Sequence, residues 1–131
     1  MIDATVAVEI ALAGGDCGPL AGHELLAPAL LWSEATSVIR ELAFRGEIPA
    51  DRSSEAISAL LAIPLTTTID IASHRHAFET AVSLGWAKTY DAEYVAAAAA
   101  ASVPLVTLDA RLARGVAGLV MVMGPADVPA G

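Results

Sequence analysis

Apolar residues recur along this chain in two ways. At Leu31, Ala35, Val38 and Leu42 they follow the spacing that puts one side of a helix against a core. Elsewhere they form short unbroken runs bounded by Pro, Gly or Asp, as at 105–108 after Pro104 and at 119–122. Read this way, the pattern predicts helices over 4–13, from after Pro28 to Arg45, over 51–62, about 70–84, 91–102 and 110–114. Stops are supplied by Gly14–Gly15, Gly46, Pro64, Gly85 and Gly115. Strands are predicted as a stub at 1–3, then at 25–27, 65–68, 105–108 and 119–122. The six-alanine tract at 96–101 belongs to a helix, because alanine is the best helix former.

Strands that alternate with helices imply an α/β protein with a parallel sheet and helices on both faces. The continuously apolar strands suit burial on both sides. In open sheets of this kind the functional crevice lies outside the carboxyl ends of the strands, where strand order reverses. With 131 residues and neither linker nor repeat, one domain is expected.

Composition narrows the picture. Hydrophobic residues make up 56% and charged residues 17%, which excludes a disordered tail. No basic segment leads into a hydrophobic stretch and cleavage site, and no run of about 18 strongly apolar residues occurs, so neither a signal peptide nor a membrane partner is expected. The lone Cys17 has no partner for an internal disulfide or a cysteine-based metal site. A cytoplasmic protein is the simplest expectation. The net charge of -8 excludes nucleic-acid binding by general attraction; cations would have to bridge acid and phosphate.

The acids carry the chemistry. Asp3 and Asp109 both fall at the carboxyl ends of predicted strands, although either alone also reads as a turn residue or helix cap. Glu34 borders the apolar stripe of its helix and faces inward or toward a cleft rim, unless it pairs with Arg40 or Arg45. Asp91 opens a helix as a cap or first-turn acid, which is compatible with a site role. Four carboxylates in one cleft repel, by roughly 3 kcal/mol per pair at about 5 Å and an effective dielectric near 20. Divalent cations would neutralise them, and hard oxygen donors without Cys or His suit Mg²⁺ or Mn²⁺. The matching chemistry is metal-assisted hydrolysis of a phosphodiester.

Four segments in order, "DATVAV" at 3–8, "APALLWSEATSVI" at 27–39, "TYDAEYVAAA" at 89–98 and "PLVTLDARL" at 104–112, resemble PIN-domain ribonucleases of the VapC toxin type. The resemblance covers nearly the whole chain. It implies a three-layer α/β/α PIN-like fold with a short parallel sheet flanked by helices. It also implies that Asp3, Glu34, Asp91 and Asp109 are catalytic and hold Mg²⁺ or Mn²⁺ for RNA cleavage. Thr5 and Thr107 match Ser/Thr positions of the family, where their hydroxyls would support ligand carboxylates. The implied partners are an RNA substrate, a cognate antitoxin that plugs the acidic cleft, and a second copy of the chain. A housekeeping PIN-type RNA or DNA nuclease, or an inactive PIN-like protein-binding module, are the alternatives. The chain departs from the family pattern at its start, where only Met1 and Ile2 precede the first acid, so a clipped first strand is expected.

Lys88, Arg111 and Arg114 lie near Asp91 and Asp109 in sequence and are candidates for RNA-phosphate contacts. Trp32 and Trp86 are expected to pack rather than to stack on bases. His74 and His76, two apart on a helix, do not share a face and are expected at the surface. His23 is isolated. No Gly-rich phosphate loop is present.

Overall fold

The computed structural model describes residues 1–68 and 70–131. Its elements follow the alternation read from the sequence: α1 (Ala4–Leu12), β1 (Leu25–Pro28), α2 (Leu30–Phe44), α3 (Ala50–Leu61), β2 (Leu65–Thr68), α4 (Ile71–Leu84), α5 (Tyr90–Ala101), β3 (Leu105–Val106), α6 (Ala110–Gly115) and β4 (Val122–Met123). The chain is therefore of the α/β class. No helix among the described residues is long and apolar enough to cross a membrane.

The strands form two parallel pairs, β1 with β2 and β3 with β4. Residues 1–3 join the pairs. The Ile2 N–H donates to Leu26 O at 2.9 Å on one side, and the Val106 N–H donates to Met1 O at 2.8 Å on the other. Asp3 N–H returns a bond to Val106 O at 3.3 Å. The expected clipped first strand is thus central but minimal, a single bridge between Ile2 and Val106. From it the chain builds β1 and β2 on one side and β3 and β4 on the other. A crevice opens where strand order switches in this way, beyond the carboxyl ends.

Two strand boundaries differ from expectation. The strand expected at 105–108 stops at Val106 as a ladder. Thr107 N–H still donates to Met123 O at 3.1 Å, but the next two N–H groups, of Leu108 and Asp109, donate to the hydroxyls of Thr5 and Thr107. The strand expected at 119–122 is displaced to Val122–Met123, because Gly118 takes a left-handed φ of 92° and the chain turns there. Leu119 and Met121 are left exposed, so apolar character alone misplaced this strand.

Helices pack in two groups. The first is α1 with α2 and α3; the second is α4 with α5, and both α2 and α5 touch β1. Leu31, Ala35 and Ile39 are the fully buried positions of α2, with Val38 and Leu42 partly buried beside them. α5 buries Ala92, Tyr94, Val95, Ala96 and Ala98. Four of these five are small or β-branched, which lets the helix approach the sheet closely. Gly85 ends α4 in the left-handed conformation (φ 72°), which glycine adopts without a steric penalty. Trp86 N–H then closes the turn on Ala81 O at 2.8 Å.

Candidate functional site

Asp3, Glu34, Asp91 and Asp109 line one cleft of about 510 Å³. Four separate elements deliver them. Asp3 is the residue between the central bridge and α1, and it caps that helix by accepting from Val6 N–H at 3.3 Å. Glu34 comes from the first turns of α2. Asp91 lies in the first turn of α5. Asp109 caps α6, its Oδ1 accepting from Arg111 N–H at 2.9 Å and Leu112 N–H at 3.1 Å. For Asp3 and Asp109 a cap role does not withdraw the carboxyl from the cleft: capping occupies one oxygen of Asp109, and the carboxyl still borders the cleft.

Asp3 is only 4% exposed, yet both of its carboxylate oxygens accept hydrogen bonds. Thr5 Oγ1 donates to its Oδ1 and Thr107 Oγ1 donates to its Oδ2. Each threonine also accepts a backbone N–H from the turn after β3: Leu108 N–H to Thr5 at 3.0 Å, and Asp109 N–H to Thr107 at 3.0 Å. Two relays therefore run from that turn through a hydroxyl to the Asp3 carboxylate. With Val6 N–H, three of roughly four acceptor positions on Asp3 are occupied and one remains.

Glu34 is not paired with Arg40 or Arg45. Arg45 pairs with Glu47, and Arg40 lies over the Phe44 ring. The partner of Glu34 is Tyr94, whose hydroxyl donates to Oε1 at 2.5 Å. Tyr94 is 1% exposed and borders the same cleft. Burial, the bond to Glu34 and the surrounding negative charge raise its pKa far above the usual tyrosine range, so it remains a donor at any physiological pH. Sequence reading missed Tyr94. The signal was its position three residues after Asp91, which places both on one side of α5. Ser37, three after Glu34, was missed for the same reason and also lines the cleft.

Burial raises the pKa of Glu34; the Tyr94 bond opposes this, and the negative charges of Asp91, Asp3 and Glu93 add to it. Asp91 is raised by partial burial and by Asp109 and Asp3, with Arg111 pulling the other way. These acids therefore feel one another across the cleft. Among the described residues, Asp91 and the second oxygens of Asp109 and Glu34 accept no hydrogen bond from the protein. An all-oxygen donor set with unengaged carboxylate oxygens fits a hard divalent cation in its chemistry. In spacing it is looser: among the described residues, no three His, Cys, Asp or Glu side chains stand close enough together to hold an ion as they are.

The remaining candidates separate clearly. Lys88 and Arg111 line a second hollow beside the acids, whereas Arg114 does not. Trp32 and Trp86 are partly buried against the core, as expected for packing residues. His74 is exposed and lies 3.7 Å from Glu93, while His23 Nε2 lies 2.7 Å from Pro129 O.

No family model matches the chain, and no curated protein matches it. Among solved structures, the crystal structure of PAE2754 from Pyrobaculum aerophilum aligns with 92% of this chain and 87% of that one, at a TM-score of 0.69 and 23% identity. At this identity the likeness is one of fold.

Two outcomes are expected. Thr107→Val removes a donor from a buried carboxylate and an acceptor from Asp109 N–H; it should lower the unfolding free energy by about 1–3 kcal/mol in urea titrations. A loss under about 0.5 kcal/mol would show that the hydroxyl does not support Asp3. The second outcome concerns Asp91. Its folded pKa exceeds its unfolded one, so the native state binds more protons between the two values, and stability falls as pH rises through that window. Asp91→Asn, melted in EDTA, should therefore be more stable than the wild type at pH 7, with the difference shrinking toward about pH 4. An equal or lower melting temperature at pH 7 would count against this balance of charge.

Proposed function

We propose that this chain is a divalent-cation-dependent endoribonuclease of the PIN-domain type, acting as the toxin of a toxin–antitoxin pair. The observation that carries the proposal is the convergence of Asp3, Glu34, Asp91 and Asp109 on one cleft at the carboxyl ends of parallel strands. Asp3, Asp91 and Asp109, with Glu34, would hold Mg²⁺ or Mn²⁺. The ion, when bound, supplies charge neutralisation for the carboxylates and the phosphate, and acidifies a water for attack on phosphorus.

Asp3 serves as the fixed acid, oriented by Thr5 and Thr107. Glu34 is steered by the Tyr94 hydroxyl, which leaves one carboxylate oxygen directed elsewhere. Asp91, exposed at the cleft, has a carboxyl that no protein donor engages among the described residues. It is the group best suited to take a proton from the attacking water. The antitoxin belongs to the same reading: a basic segment would complement an acidic cleft in a chain of net charge -8. Self-association into a homodimer is likewise part of it.

The decisive assay incubates the protein with a mixed RNA pool in Mg²⁺, Mn²⁺ or EDTA, beside Asp91→Asn. Cleavage is expected with either cation, none in EDTA, and a loss of at least about 100-fold in the variant. Cleavage that persists in EDTA, or survives the substitution, would rule out this mechanism. Expression in a bacterial host is expected to arrest growth, and Asp91→Asn to relieve the arrest. Cleavage in vitro without arrest would instead point to a housekeeping nuclease.

A further inference from the structure

Beside the acidic cleft lies a second hollow of about 630 Å³, within the usual range for ligand sites. It shares Glu34 and Asp91 with the first, so the two are continuous. Its other wall is of opposite character. Trp86 and Lys88 come from the segment between α4 and α5, Tyr90 is the first residue of α5, and Arg111 comes from α6.

Trp86 is anchored. It packs against Ala77, Ala81 and Ala92. Gly115 passes so near the ring that a Cβ there would lie 3.3 Å from Cζ2. Tyr90, in contrast, is 55% exposed. Lys88 and Arg111 are both exposed, and among the described residues neither lies within 4.0 Å of a carboxylate oxygen. In a chain with 7 basic and 15 acidic residues, two unpaired cations on one wall beside two aromatic rings form a local inversion of the protein's charge.

We infer that this hollow is the subsite for a nucleotide flanking the cleaved phosphate of a single-stranded RNA, with Tyr90 stacking on its base beside the edge of the packed Trp86 ring and Lys88 and Arg111 holding its phosphate. The inference rests on the ribonuclease reading and adds to it which side chains hold the flanking nucleotide. Stacking on an aromatic side chain requires a base free of its own stack, which a duplex does not offer. Phosphate contacts from two cations give a salt-dependent grip that the acids alone would oppose. The subsite separates two tasks on neighbouring walls: grip on the cationic wall, chemistry on the acidic one.

The test uses the full chain and a 5′-fluorescein-labelled single-stranded RNA decamer, followed by fluorescence anisotropy in Ca²⁺, with the probe's integrity checked on a denaturing gel. The same strand annealed to its complement is the comparison. Tyr90→Ala and the pair Lys88→Ala with Arg111→Ala replace exposed side chains, and circular dichroism checks that both fold. Tyr90→Ala should weaken binding about ten-fold. The double variant should flatten the slope of log affinity against log salt by about 0.7 for each cation removed. The duplex should bind at least about ten-fold more weakly than the single strand. Wild-type protein that does not bind the decamer, variants that bind it as the wild type does, or a duplex bound equally well would each overturn the subsite. Cleavage in Mn²⁺ is scored separately. Cleavage with unaltered binding in the variants removes the subsite and keeps the nuclease. Variant-dependent binding without any cleavage removes the nuclease and keeps a single-strand-binding hollow.

Discussion

The cleft depends on the way one carboxylate is held. Asp3 sits almost fully buried at the point where the two strand pairs meet, and two threonine hydroxyls converge on it. A buried charge without partners is strongly unfavourable. Hydrogen bonds to a charged group, at roughly 1.5–3 kcal/mol each, offset that penalty here. Because each hydroxyl also takes a backbone N–H from the turn after β3, the bonds that settle Asp3 fix the turn that presents Asp109. Two acids far apart in sequence are thereby placed by one small network, and the strand ladder ends at Val106 in order to make it.

The other two acids are held less tightly, and the contrast is informative. Glu34 has one donor, Tyr94, and Asp91 has none from the protein among the described residues. Both have raised pKa values because burial and neighbouring negative charge oppose their ionisation. The cleft thus combines one rigid, satisfied anion with others held at an electrostatic disadvantage. Such an imbalance suits a place where positive charge arrives from outside, and perturbed carboxyls in a crevice are a common mark of function.

Much of the architecture was readable in the sequence because local signals agreed. The stripe on α2, the glycine stop after α4 and the alternation of strands and helices all follow from spacing and backbone chemistry. Asp3, Asp91 and Asp109 could be picked out because each stands at an element boundary, and Glu34 because it borders the apolar stripe of α2. The finer points were hidden for physical reasons. Strand ends depend on where N–H groups find acceptors, and β3 is shortened by side-chain hydroxyls that no apolar pattern reveals. The run at 119–122 is apolar but turns at Gly118 and stays partly exposed. Tyr94 reads from sequence as an ordinary core aromatic; only the fold, which sets α2 and α5 both against β1, discloses that its hydroxyl reaches Glu34. Order within the sheet, which brings residues 1–3 between β1 and β3, comes from long-range pairing and leaves no local trace.

The alanines of α5 bear on more than helix formation. Ala92 and Ala98 are fully enclosed, and Ala96 nearly so, which makes the helix a spacer of fixed thickness. Its first turn carries Asp91, and its next carries Tyr94, so the depth to which the helix settles sets how far both reach across toward Asp3 and Glu34. A few added methyl groups on the inner side would lift the whole rod outward. The polyalanine tract is therefore a gauge for the aperture of the cleft, and the width of the opening is written in residues that never touch what enters it.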